Sequence, residues 1–218
     1  MRVVRAEERP RRMSTVPQPI TAALLELPPS AELARRLSGS PLLLLLDIDG
    51  TLAPIASTPE AAAVPQATRN AINRLVNRPA VHVALVTGRA AADGQRMVDV
   101  DGTWIIGNHG MERIDPDGSI SVDPRVIRYQ PDIAAASAAL TESLADVAGV
   151  IVENKRWTLS VHYRLAEREH LPRVQRAIKE VAHARALRCI AGKEISELRP
   201  PVDVNKGTAA LDLATTYE

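Results

Sequence analysis

Five consecutive leucines at positions 42–46 stand between Pro41 and Asp47. An apolar run with no polar position has no face to offer water. It predicts a strand buried on both sides, as in the interior of a parallel sheet. The segments that follow alternate in type. Pro65 precedes a helical stretch at 67–76 with Ile72, Leu75 and Val76 on one face; 81–87 is a second apolar strand, ended by Gly88. A helix at 90–100 and a short strand at 103–107 complete a β-α-β-α-β order. That order predicts an α/β fold with a doubly wound, Rossmann-like parallel sheet and ligands at the carboxyl ends of its strands.

After Glu112 the pattern changes. Asp115-Pro-Asp-Gly118 is a turn between short alternating segments. An Ala-rich helix (133–147), two strands (150–152 and a strictly alternating 157–163), a second helix (171–187) and a strand pair around Gly192 (187–191, 194–199) follow. This α-β-β-α-β-β insert is long enough for a small lid domain. Asn205-Lys-Gly opens a last helix to about residue 217. The expected organisation is a lead-in at 1–40, a core at 41–114 and 200–218, and an α/β cap at 115–199. Pro10, Pro17, Pro19, Pro28 and Pro29 predict a mostly unstructured lead-in, with a short helix at 30–37 between Ser30 and Gly39; Met13 is an alternative start.

Composition narrows the function. Lys and Arg total 27 against 26 Asp and Glu, a net charge of +1, so nothing draws the chain to nucleic acid or an anionic membrane. Aromatic residues are 2% with no Phe, which argues against base-stacking platforms. The single cysteine, Cys189, excludes an internal disulfide framework and a multi-cysteine metal site, and is read as a small buried hydrophobe. No apolar stretch approaches the roughly 18 residues of a membrane span, and the Arg-rich start has no hydrophobic segment behind it. A cytoplasmic, small-molecule role is expected.

The chemistry is expected at Asp47-Ile-Asp49-Gly50-Thr51, just after the first strand. Residues two apart on an extended chain face the same way, so both carboxylates point into one crevice. Two such acids ionise together only with a cation between them. Phosphoryl hydrolysis uses such a pair, one acid attacking phosphorus and the other protonating the leaving oxygen. Gly50 lets backbone amides approach an anion, although Asp-Gly after a strand is also a hairpin signal. Thr87-Gly88-Arg89 ends the second strand, where a hydroxyl, an amide and a guanidinium meet a phosphate or simply form a capped turn. Lys206, opening the last helix, adds a positive charge at a helix N-terminus. His82 is read as packing beside its strand.

This ordered set resembles the haloacid dehalogenase superfamily of phosphatases. Four segments are similar to the trehalose-6-phosphate phosphatase family: Leu46-Asp-Ile-Asp-Gly-Thr-Leu-Ala-Pro-Ile55, Gly107-Asn-His-Gly-Met-Glu112, Glu153-Asn-Lys-Arg-Trp-Thr-Leu-Ser-Val-His-Tyr-Arg164 and Glu197-Leu-Arg-Pro200. The resemblance implies Asp47 as nucleophile and Asp49 as general acid and then base. It implies Mg²⁺ held by Asp47 and the Asp49 backbone carbonyl, with Thr87 and Lys206 on the phosphate oxygens. On the cap, Glu153, Lys155, Glu197 and Arg199 would read sugar hydroxyls with His162 and Arg164 close by. On the core, Asn108, His109 and Glu112 would border the same pocket.

The same resemblance implies a further strand after the last helix, ending in a Gly-Asp-Asp-type acidic segment. Nothing after Gly207 matches, and Asp212 lies mid-helix. The expectation is a core incomplete at its C-terminus, from a truncated or interrupted copy or one completed by another chain. The leucine strand would then be an apolar edge, a pairing liability. The expected activity is Mg²⁺-dependent hydrolysis of trehalose 6-phosphate. The alternatives are a phosphatase for another sugar phosphate, or a non-catalytic homologue that binds one.

Overall fold

The computed structural model describes residues 41–217 with Ala31, Ala34 and Ser38. The expected lead-in at 1–30 lies outside the described residues, as does the 30–37 helix apart from Ala31 and Ala34, which are helical. The chain divides into Met1–Ser38 and Gly39–Glu218, and the fold is that of the second unit.

That unit holds two sheets. The first has five strands in chain order: β1 (Leu42–Asp47), β2 (Val81–Val86), β3 (Trp104–Gly107), β4 (Glu112–Ile114) and β5 (Ile120–Val122). The first three are parallel, crossed over by α1 (Gln66–Val76) and α2 (Ala91–Val98), and the last two turn antiparallel. The Asp115–Gly118 turn therefore joins two strands of the first sheet. The change to the second sheet comes after Val122, not at the expected residue 115.

Side-chain alternation places Val83, Leu85 and Ile105 in one core with Ile72 of α1 and Ala91 and Val98 of α2. Ala84, Val86 and Ile106 face the other way, against Leu213 of the last helix (Lys206–Ala214). Both faces are covered, so these strands are apolar at nearly every position, His82 being the exception. β1 pairs with β2 alone among the described residues, with Leu42 opposite Val81 and Asp47 opposite Val86. It is thus the sheet edge, and Leu45 is 43% exposed.

The second sheet is antiparallel throughout, in the order β6 (Ile151–Asn154), β7 (Leu159–His162), β9 (Ile195–Arg199), β8 (Arg188–Ala191). β7 is shorter than the expected 157–163. The chain turns tightly at Lys155–Thr158, where Thr158 O accepts the Lys155 amide at 2.9 Å and Arg156 takes a φ of 71°. One face, with Leu159, Val161 and Leu198, packs on α4 (Gln130–Ser143) and α5 (Leu171–Ala184); a single turn of helix, α3 (Pro124–Ile127), precedes them. A third cluster of Met111, Val126, Trp157, Val202 and Val204 lies where the chain crosses between sheets.

Two single-residue readings part ways here. His82 does pack, its ring stacked on Tyr217 at 3.9 Å. Cys189 is exposed, against expectation. It sits opposite the fully buried Leu198, but β8 is the sheet edge and all four of its residues are exposed. No described helix is long and apolar enough to cross a membrane.

Candidate active site

β1 delivers its acids to the sheet's carboxyl edge. Ile48 is completely buried and anchors the chain, while Asp47 and Asp49 on either side stay exposed. The Ile48 carbonyl accepts the amides of Leu52 and Ala53, both at 2.9 Å, winding the next residues into a tight loop. Gly50 sits in that loop at φ 82°, a conformation that favours glycine. Its amide donates to Ala53 O at 2.8 Å, so the turn consumes the donor expected to meet an anion.

Each acid faces its own cation. Lys206 Nζ donates to Asp47 Oδ1 at 2.7 Å, and the Ile48 amide adds a bond at 3.0 Å. Asp47 Oδ2 has no partner among the described residues. Lys206 is placed by a capping box: Asn205 Oδ1 accepts the amides of Gly207 and Thr208, and Thr208 Oγ1 accepts the Asn205 amide. Asp49 is gripped in a fork by Arg89, with Nε at 2.9 Å and Nη2 at 2.8 Å. That bond to Asp49 holds the guanidinium pKa above its ordinary value. Arg89 also donates to Pro59 O at 3.0 Å, so its charge is committed to Asp49 and not displayed to a phosphate. Thr87 is fully buried, and its Oγ1 accepts the Arg89 amide at 3.1 Å.

The second sheet turns its polar face to this edge. Glu153, Ser160 and Glu197 are successive cross-strand partners on β6, β7 and β9, with His162 and Arg199 two residues along. Between this face and the first sheet's loops lies a cavity of about 390 Å³. Of the expected residues, Asp49, Arg89 and His109 line it from one side, and Glu153, Lys155, His162, Arg164, Glu197 and Arg199 from the other. Arg164 spans the two sides, donating to Ala56 O at 3.1 Å.

Glu197 is the hub. Lys155 Nζ meets its Oε1, Arg199 Nε meets Oε2 at 2.6 Å and His109 Nε2 lies 2.9 Å from Oε2. Burial works to raise its pKa, but the His109 bond and the Lys155 charge outweigh burial and hold the carboxyl well below the usual range. Burial pushes His109 below its ordinary value, with Glu197 pulling the other way. The neutral ring's Nε2 can serve one neighbour only, donating to Glu197 or accepting from Arg199 Nη2 at 2.8 Å. The ring lies against Gly88, where an added Cβ would come within 2.5 Å of it, so that position requires glycine. For Glu153, burial again works upward, yet the bond from His162 at 2.8 Å and nearby positive charges leave the pKa lowered.

Asp47, Gly50, Thr87, Lys206, Asn108 and Glu112 do not line the cavity. The first four belong to the strand edge beside it. Asn108 and Glu112 are different: Asn108 is completely buried, and Glu112 holds the amide of Ala91 at the start of α2 at 2.7 Å. Reasoning from sequence overlooked Ser160, a wall residue that the alternation of 159–162 would have placed. It also overlooked the loop residues Ile55, which ends the first family-like segment, and Thr58 and Pro59, which carry no pattern.

The donor types at the strand edge suit magnesium. Asp47 and the Asp49 carbonyl are hard oxygens, and Mg²⁺ takes few protein ligands and keeps several waters. Among the described residues no third acidic side chain joins them; the one cluster of three potential ligands, Glu167, Glu169 and His170, lies elsewhere.

The family model described as Trehalose-phosphatase matches residues 45–218. A trehalose-phosphate phosphatase of Mycobacterium avium (strain 104) is 38% identical over 161 residues, 74% of this chain and 41% of that protein. An uncharacterized glycosyl hydrolase of Mycobacterium tuberculosis (strain CDC 1551 / Oshkosh) is 36% identical over 179 residues, 82% of this chain and 13% of that one. This chain thus spans less than half the length of either relative. The crystal structure of a trehalose-6-phosphate phosphatase related protein superposes with a TM-score of 0.72 at 27% identity, covering 78% of this chain and 72% of its own. The C-terminal domain of Candida albicans trehalose-6-phosphate phosphatase, at 24% identity, a TM-score of 0.69 and coverage of 85% and 66%, shares the fold. The family match takes in the whole polar cavity and both sheets except Leu42–Leu44 of β1, and on that ground the chain belongs to the trehalose-phosphatase family.

Proposed function

We propose that this chain hydrolyses the phosphate ester of trehalose 6-phosphate through Asp47. The observation that carries the reading is the orientation of Asp47 by Lys206, one oxygen tied and the other without a partner among the described residues, at a strand end beside a cavity walled by polar groups. The free oxygen attacks phosphorus as the bond from phosphorus to the sugar oxygen breaks. Asp49, once protonated and released from Arg89, gives its proton to that sugar oxygen. It then takes a proton from the water that splits the aspartyl-phosphate, yielding inorganic phosphate. Lys206 and the Thr87 hydroxyl carry the charge spread over the phosphoryl oxygens. Magnesium, held by Asp47 and Asp49, would neutralise phosphate charge there. Glu153, Lys155, Glu197 and Arg199 supply paired donors and acceptors for sugar hydroxyls, and such a site rejects analogues lacking them.

A panel of sugar phosphates tests this, with phosphate release as the readout. Trehalose 6-phosphate should be the best substrate, and Asp47→Asn should lower its turnover at least ~1000-fold, as loss of a nucleophile does. Equal turnover by the variant removes Asp47 from the reaction. Tight binding of trehalose 6-phosphate by calorimetry, with no product after long incubation with Mg²⁺, would favour a non-catalytic sugar-phosphate binder.

A further inference from the structure

We infer that Asn108 is a positioning residue that fixes the sugar-reading face against the catalytic edge without touching substrate. The inference rests on the phosphatase reading above. Asn108 leaves the end of β3 with a left-handed φ of 45°, a conformation that asparagine adopts more readily than other residues with a side chain. Its backbone amide donates to Arg89 O at 2.7 Å, tying it to the loop that carries Thr87 and Arg89. Its side chain is completely buried and reaches across to the second sheet. Nδ2 donates to Lys155 O at 3.0 Å and to Glu112 Oε1 at 2.7 Å; Oδ1 accepts from Thr158 Oγ1 at 2.7 Å.

Lys155 and Thr158 belong to the turn between β6 and β7, while Glu112 opens β4. The same turn is held from its other side, where Trp157 Nε1 donates to Glu112 Oε2 at 3.0 Å. Lys155 closes the circuit, its Nζ donating to Gly88 O at 2.8 Å and to Glu197. One amide therefore sets the placement of Lys155, and through it Glu197, relative to Thr87 and Arg89. An aspartate at 108 would bring carboxylate oxygens against Lys155 O and Glu112 Oε1, so only an amide satisfies all three partners. A buried polar group left without its partner costs enough to move the assembly.

The test uses the full chain with Asn108→Ala, Thr158→Val and Thr158→Ser. Trehalose 6-phosphate is compared with p-nitrophenyl phosphate, whose leaving group has no hydroxyls to read. Asn108→Ala and Thr158→Val should raise KM for the sugar ester about tenfold or more, the scale of a buried hydrogen bond left open, and change p-nitrophenyl phosphate kinetics by no more than about twofold. Thr158→Ser, which keeps the hydroxyl, should restore the parent KM. Equal losses on both substrates, or none, overturn the inference. Should the parent hydrolyse neither ester, the phosphatase reading falls, and hydrogen exchange then decides the joint. Asn108→Ala and Thr158→Val should speed exchange across 151–162 and leave 42–47 unchanged; unaltered exchange at 151–162 overturns it.

Discussion

The two sheets are built on opposite rules. In the first, helices cover both faces, so β2 and β3 have no side left for chemistry and the candidate site groups stand only where strands end, at Asp47 and Thr87. In the second, helices cover one face, and the other carries a functional group at every second residue: Ser160 and His162 on β7, Glu197 and Arg199 on β9. A sheet buried on both sides fixes a few atoms rigidly at its edge. A sheet buried on one side spreads a recognition surface along its length. The cavity lies where the edge of one meets the face of the other.

Glu197 gathers three basic partners on the polar face, His109, Lys155 and Arg199. Glu197→Gln would leave Lys155, only 8% exposed, without its counter-charge. Removing one partner of a buried pair costs about 3–5 kcal/mol, so denaturant melts should show a loss of that order. The sign of its pH dependence follows from the lowered pKa of Glu197. The unfolded chain binds more protons than the folded one as pH falls through the ordinary glutamate range, so stability is full above that range and declines below it. His109, whose pKa is also lowered, acts in the same sense from its ordinary value near 6.5 downward. Parent melts should therefore weaken on acidification from neutral pH, and those of Glu197→Gln less so. An unchanged acid limb in Glu197→Gln would remove Glu197 from the cause.

Neighbours on β7 sharpen the contrast. Leu159→Ala opens the helix-covered face and should cost about 2–5 kcal/mol in a melt. Ser160→Ala, one residue on, loses only a long contact to Glu197 at 3.5 Å, so its stability should change by no more than about 1 kcal/mol. Its effect should appear in KM for the sugar ester. Similar stability losses at both positions would mean that the two faces are not distinct.

These rules also explain what the sequence made legible. The strand at 81–87 announced a doubly covered sheet, and strict alternation at 157–163 announced a paired strand; the leucine run, expected to be buried on both sides, is instead an edge with none of its residues buried. The acids at 47 and 49 stood out because an all-apolar strand stops abruptly at them. Asn108 and Glu112 were legible as a motif but not as a joint, because their partners lie at 155–158 and no local pattern links the two segments. The Arg89–Asp49 fork joins residues forty positions apart. Cys189 was read as buried from its type, and only the strand order places it on an exposed edge. The second hairpin strand, 120–122, is too short to show which sheet it would join.

The central claim is that Asp47 takes the phosphoryl group. The most direct measurement is mass spectrometry of the chain quenched in acid during turnover of trehalose 6-phosphate with Mg²⁺. A single phosphoryl group on the peptide carrying Asp47, absent from Asp47→Asn, is the expected result. Steady phosphate release by the parent with no label on that peptide, and undiminished release by the variant, would contradict it.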